Sequence, residues 1–296
     1  MPSAYVLLLG ANILYATTYV VSRVVLDDVP AATLALLRLV LGAAVLVPIA
    51  WRAARDVPDA PGERARIFWM GALGFAGAFV LGNWGVERST ATNAALLIIV
   101  EPVALMLLGP LLFGERLRRR EAVGAALALA GSVIVVINGV PGVSVAVAPH
   151  WRGDLLLVAS GLAYAAYSLF GRPVLDRHPA TVVTARSIVW GAAVMAPFAA
   201  GEWMAGARPV LTPSAVVGTL YLAVIITAFG YLVWNYALAR VGAARAGIFV
   251  NVQPVVGALL GVVFLGDALT PFTVTGGALI VGGLWLTVSA RPDGIL

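Results

Sequence analysis

"YATTYVVSRVVLDDVPAATLALLRLVLGAAVLVP", residues 15–48, aligns without gaps on "YAAYSLFGRPVLDRHPATVVTARSIVWGAAVMAP", residues 164–197, with 14 identities in 34 positions. Self-similarity of this kind marks a duplicated structural unit. Further along, at an offset three residues longer, "EPV" at 101–103 faces "QPV" at 253–255 and Asn83 faces Asn235. "GERLRRREAVGAALALAG" at 114–131 likewise faces "GDALTPFTVTGGALIVGG" at 266–283. The second half is a copy of the first, which divides the chain into units 1–140 and 151–290.

The duplicated unit is strongly apolar. Hydrophobic residues make up 61% of the chain, charged residues 11%, and the mean hydropathy is +0.98, against roughly 45–50% apolar and 25% charged in a soluble domain. A span needs about 20 apolar residues to cross about 30 Å of hydrocarbon. Apolar runs between charged or Pro/Gly breaks predict ten helices near 5–26, 31–51, 68–87, 90–113, 121–138, 154–172, 181–200, 213–238, 243–265 and 272–290. The segment from Met1 to Gly10 has no basic leader and no small-residue cleavage site, so an uncleaved first span is expected.

All 19 basic residues are arginine, and their placement reports orientation. Arg52, Arg55, Arg64 and Arg66 follow helix 2, and Arg116, Arg118, Arg119 and Arg120 follow helix 4, whereas the loops on the other side carry Arg88, Arg152 and Arg208. The positive-inside rule then puts both termini in the cytoplasm. Five spans per unit is an odd number, so the copies must cross in opposite senses. The fold class expected is an all-α membrane protein: ten transmembrane helices as two inverted five-helix repeats, N and C termini cytoplasmic. Such repeats recur in secondary transporters, where near-equivalent halves open a central site to either side in turn. Some channels are also inverted duplications.

Glu101 and Pro102 interrupt "LLIIVEPVALMLL", residues 96–108. An ionised acid at the centre of a span costs about 2.5–3.5 kcal/mol on insertion scales, so it should face protein or water. Pro102 lacks an N–H and denies the Ile98 carbonyl its helical donor, and Pro254 does the same to Val250, beside Asn251 and Gln253. Interrupted helices at matching positions of two repeats point to a midplane binding site. Glu101 is expected to carry a coupling proton or to contact a cationic substrate group, and the alternative is a packing kink with a hydrogen-bonded acid. Asn12, Tyr15 and Tyr19 share one helical face. With Trp84, Tyr164 and Trp234 they supply rings and amides suited to an amphipathic solute. Arg38 and Arg186, inside helices 2 and 7, are candidates for a gate or repeat interface together with Pro102 and Pro254, or for substrate carboxylates. The small-residue runs from Gly124 to Gly131 and from Gly276 to Gly283 fit close helix packing between the units or dimerisation.

No Cys is present, no P-loop, and the two histidines, His150 and His178, fall in loops. No metal site, cofactor or enzymatic set is therefore expected, and no nucleic-acid partner.

Ten spans in two five-helix halves, the in-span Arg38 and Arg186, the mid-helix Pro102 and Pro254, and the helix-end "FGERL" (113–117) and "LGDAL" (265–269) before Gly-rich helices resemble the EamA-type members of the drug/metabolite transporter superfamily. The resemblance covers nearly the whole chain. It implies a basket-like bundle with helices 5 and 10 at the rear, a central cavity, alternating access and, in many members, export of amino acids or related metabolites. Asp267 stands where Glu is more usual. The expectation is a multi-pass inner-membrane transporter exporting a small amphipathic metabolite, an amino acid first, with multidrug export or metabolite uptake as alternatives. Its partners would be that small molecule, the lipid bilayer and, left open, protons as coupling ion and a second copy in a homodimer.

Overall fold

The computed structural model describes residues 2–53, 58–113, 119–143, 149–230, 232–233 and 252–289. Among them all regular structure is helical: α1 (Pro2–Val25), α2 (Ala31–Ala53), α3 (Glu63–Trp69), a π-helical stretch (Met70–Gly77), α4 (Ala78–Arg88), α5 (Ala91–Leu97), α6 (Val100–Phe113), α7 (Arg119–Asn138), α8 (Trp151–Leu175), α9 (Ala180–Met204), α10 (Pro213–Leu220), a second π-helical stretch (Tyr221–Phe229), α11 (Val252–Leu265) and α12 (Pro271–Ser289). Among the described residues, five helices are long and apolar enough to cross a membrane: Ala31–Ala53, Glu63–Arg88, Arg119–Asn138, Trp151–Leu175 and Ala180–Met204. Large apolar side chains such as Val133 (56% exposed), Val263 (64%) and Trp285 (71%) point outward, as an apolar solvent permits.

The helix starts follow local chemistry. Thr90 caps α5 through its hydroxyl, which accepts from the Asn93 N–H at 3.0 Å. Thr212 caps α10 with Pro213 in the first turn, and Thr270, followed by Pro271, accepts from the Thr273 N–H at 3.2 Å. Each cap satisfies an amide that has no intrahelical partner.

The duplicated units are interleaved. Asn12 of α1 meets Gln253 of α11, and Gly257 of α11 lies against the Ala16 carbonyl, so α1 and α11 run parallel. Thr92 and Ala95 of α5 oppose Gly261 and Gly257, which makes α5 antiparallel to α11. Asn93 touches Asp154 and Val100 touches Gly161, so α5 and α6 run parallel to α8. It follows that α1 and α8 run in opposite senses. The glycine runs of α7 and α12 pack on each other: a β-carbon at Gly131 would stand 2.5 Å from the Gly276 carbonyl oxygen and 2.9 Å from the Ile280 nitrogen. These backbones touch because no side chain separates them.

One expectation is corrected. The break in the fourth predicted span lies at Ile98–Ile99, between α5 and α6, and α6 runs through Pro102 without interruption. The Ile98 carbonyl, which Pro102 cannot serve, accepts from the Glu101 N–H at 3.1 Å, and the Val103 N–H reaches Ile99 at 3.2 Å. Tightening to an i→i+3 bond is the usual remedy at a helix end. Pro254 lies in the first turn of α11, and Val250 is outside the described residues.

Candidate functional site

Four tyrosines from two helices form the centre. On α1, Tyr15 lies against Gly230 and Tyr19 against Gly257, where the glycines leave space for the rings. On α8, the Tyr164 ring centre is 6.2 Å from that of Phe79, and Tyr167 packs edge-on to Phe75 at 5.2 Å, over Gly74. Tyr15 is within electrostatic reach of Tyr164 and Tyr167. Glu101, at the head of α6, is within reach of Tyr19, Tyr164 and Tyr167 and stands beside the Ser168 hydroxyl. The whole of α5 is buried, yet Glu101 and these tyrosines keep partial accessibility. Glu101 is thus a partly accessible carboxylate deep in an apolar bundle, within electrostatic reach of tyrosines from α1 and α8, which makes this the candidate site.

Asn12 and Gln253, also expected here, face each other: the Gln253 Nε2 donates to the Asn12 Oδ1 at 2.8 Å, and Asn12 has no exposed surface. Trp84 on α4 packs between the two largest apolar clusters. Asn251 and Trp234 lie outside the described residues.

The two in-span arginines have different surroundings. Arg38, 5% exposed, places its guanidinium 4.2 Å from the Phe79 ring centre, and its Nη2 points to the Thr227 hydroxyl at 3.5 Å. Arg186 makes a bidentate pair with Asp59, Nη1 to Oδ1 at 2.8 Å and Nη2 to Oδ2 at 2.9 Å. Arg64 adds a third bond to Asp59 at 3.0 Å, while Arg177 and His178 pair with Glu63. Asp59, Glu63 and His178 present ligand-type atoms within 4.8 Å of one another. The arginines already neutralise those carboxylates, so the group is an ion-pair network joining the start of α3 to α9.

The Arg186 hydrogen bond holds the Asp59 carboxyl well below the usual carboxylate range, with Arg64 adding to it. A depressed folded-state pKa stabilises the fold above the unfolded value, and that contribution disappears as pH falls through the folded value. Asp59→Asn should therefore cost about 1 kcal/mol near neutral pH. The difference from the parent, followed by thermal unfolding in detergent, should shrink progressively below about pH 4.

Sequence reasoning missed a second set of polar residues. Asp154, with no exposed surface, accepts from Ser89, from Asn93 at 3.1 Å, and pairs with the His150 Nδ1 at 2.8 Å. Nearby chain ends are tied in the same way. Glu202 accepts from the Ala32 and Thr33 N–H groups at 2.8 and 2.9 Å, and Asp267 of "LGDAL" accepts from the Thr92 N–H at 2.8 Å. Carboxylates of the second unit thus cap helices of the first, where the helix dipole favours negative charge. The signal available was an acid near the end of a span, Asp154, Glu202 or Asp267. The π-helical stretches gave no signal at all. They fall at matching places in the two units, and the second aims Thr227 at Arg38.

Comparison with known proteins agrees with this architecture. The model of the EamA-like transporter family matches residues 2–137 and 151–289. The chain is 28% identical over 278 residues to a probable terminal-alkyne amino-acid exporter of Streptantibioticus cattleyicolor, covering 92% of this chain and 89% of that protein. It is 26% identical to a probable amino-acid metabolite efflux pump of Escherichia coli, covering 96% and 94% of the two chains. A solved crystal structure superposes with a TM-score of 0.66 at 23% identity over 96% of this chain and 97% of the other, which speaks for the fold. With the matched segments together covering α1, α6 and α8, which carry Glu101 and the four tyrosines, this multi-pass membrane protein belongs to the EamA-like transporter family.

Proposed function

We propose that the protein is a secondary transporter of the cell inner membrane that works by alternating access and exports a small amphipathic metabolite, most plainly an amino acid. The observation that carries this reading is Glu101, partly accessible among tyrosines contributed by α1 of the first unit and α8 of the second. The names of the relatives in Streptantibioticus and Escherichia, a probable terminal-alkyne amino-acid exporter and a probable amino-acid metabolite efflux pump, support the substrate class. The opposite senses of α1 and α8 support ten spans in two inverted five-helix repeats, with both termini cytoplasmic by the arginine distribution. Glu101 can take up a proton in exchange for substrate, which makes protons the natural coupling ion.

The test is efflux of labelled amino acids from proteoliposomes containing the purified chain, with and without an imposed pH gradient. Saturable flux of one substrate class that follows the gradient is expected, and Glu101→Gln should remove the dependence on the gradient. Non-saturating flux of many unrelated solutes would indicate a channel, and no flux of any amino acid would remove the amino-acid reading.

A further inference from the structure

Glu101 and Gln253 are paired by the "EPV"/"QPV" match, and each is met by one face of a long helix from the other unit. On α1 that face is Asn12, Tyr15 and Tyr19. Continuing the gapless alignment three residues upstream makes its counterpart on α8 Gly161, Tyr164 and Ser168, the same i, i+3, i+7 set. The structure uses both faces in the same way. Asn12 bonds Gln253 at 2.8 Å, and Tyr19 lies 3.5 Å from where a β-carbon of Gly257 would stand. Gly161 packs on the head of α6, where a β-carbon would fall 3.0 Å from the Val100 Cβ, and Tyr164 lies within electrostatic reach of Glu101. The Ser168 hydroxyl is hydrogen-bonded to the Glu101 carboxylate.

The faces differ in which position holds the polar end group. On α1 it is the first, Asn12. On α8 the first is a glycine closed over by Val100, so the bond to Glu101 comes from the third, Ser168, seven residues and about 10 Å further along the helix axis. The two bonds also differ in kind. An amide pair such as Asn12 and Gln253 neither gains nor loses a proton. A serine hydroxyl donates to a carboxylate and accepts from a carboxylic acid, so its bond to Glu101 survives protonation with donor and acceptor exchanged.

We propose, building on the transporter reading above, that Ser168 is a positioning residue for Glu101: its hydroxyl holds the acid against α8 in both protonation states and sets the pH at which the acid exchanges its proton. The other titratable groups facing Glu101 are the phenols of Tyr19 from α1 and of Tyr164 and Tyr167 from α8. A phenol ordinarily carries no charge at neutral pH. The other helix packed on α6, α7, has no ionisable side chain from Ala122 to Ile137, and Arg172 follows Ser168 by one turn of α8. Among the described residues it is Ser168 that hydrogen-bonds the carboxylate.

Infrared spectroscopy of the purified full-length chain in liposomes, with pH as the only variable, reads this contact without a substrate. Subtracting the spectrum of the same protein carrying Glu101→Gln isolates the Glu101 carboxyl bands. Ser168→Ala, which removes one oxygen and little volume, should shift the acid C=O band to higher frequency and move the midpoint of its titration by about one pH unit, the scale of one hydrogen bond to a charged group. Ser168→Thr, which keeps the hydroxyl, should return both to the parent values. An unchanged band and midpoint in Ser168→Ala, or a change that Ser168→Thr shares, would overturn the assignment. Counterflow of labelled phenylalanine in the same liposomes tests the transporter reading separately. Its pH profile should follow the infrared midpoint from variant to variant, and a profile that ignores the midpoint would overturn the role of Ser168. Absence of flux in the parent would count against the transporter reading, and the infrared result would still decide the contact of Ser168 with Glu101.

Discussion

Asp154→Ala is expected to lower the stability of the folded chain by about 3–5 kcal/mol, the usual result of removing one member of a fully buried charged cluster. Three groups depend on this side chain: the Ser89 hydroxyl, the Asn93 amide and the His150 ring. His150 is itself 8% exposed, and its ring fills the space over Gly139. Asn93 and His150 are buried and cannot turn to water once the carboxylate is gone, so both keep a desolvation penalty. Asp154→Asn retains the volume and two acceptor lone pairs and should cost less, about 1–3 kcal/mol. Thermal unfolding of the detergent-purified variants checks both, and the alanine variant should also expose the link between the α4–α5 junction and α8 to faster proteolysis. Stability equal to the parent in Asp154→Ala would mean the cluster is solvated in the membrane-embedded protein.

Gly74→Val is the second large effect. Gly74 sits in the first π-helical stretch with the Tyr167 Cβ and ring directly over it, closer than any β-carbon tolerates. The atom met first is the Cβ of Tyr167, which is fixed to the α8 backbone and cannot swing away. The helices must therefore separate, at about 1–3 kcal/mol or more for overpacking. Tyr167 would move with α8, and it lies within electrostatic reach of Glu101. Transport should fall by more than the loss of folded protein accounts for, measured as flux per folded molecule in proteoliposomes. Gly201→Val, where a β-carbon meets nothing, is the control and should leave both unchanged.

Particular residues show how far the sequence could be read. The duplication and the apolar runs placed the helices, because both are local or self-referential signals; α2, α7 and α12 lie within a few residues of expectation. Glu101 and the tyrosines of α1 and α8 were also readable, since a charge inside a span and a polar-aromatic face have no use against lipid. The interleaving of the units was not readable. Nothing in the residues of α1 states that it packs on α11, and the amide pair Asn12–Gln253 spans 241 positions. Pro102 marks a break in the sequence because it cannot donate, yet the chain satisfies the Ile98 carbonyl with the Glu101 N–H and turns just before it. Arg38 and Arg186 look alike in sequence and part company in space, because Asp59 comes from a loop whose landing place depends on the whole bundle.

The central claim, that a substrate site is carried from one side to the other, is tested most directly by trans-stimulation. Proteoliposomes with the purified chain are loaded with unlabelled substrate, and entry of labelled substrate is compared with that into empty vesicles. Alternating access predicts faster entry into the loaded vesicles, because a loaded carrier returns sooner than an empty one, and loss of that acceleration in Glu101→Gln. Entry that is indifferent to internal substrate, and equal in the parent and Glu101→Gln, would contradict both the carrier mechanism and the place of Glu101 in it.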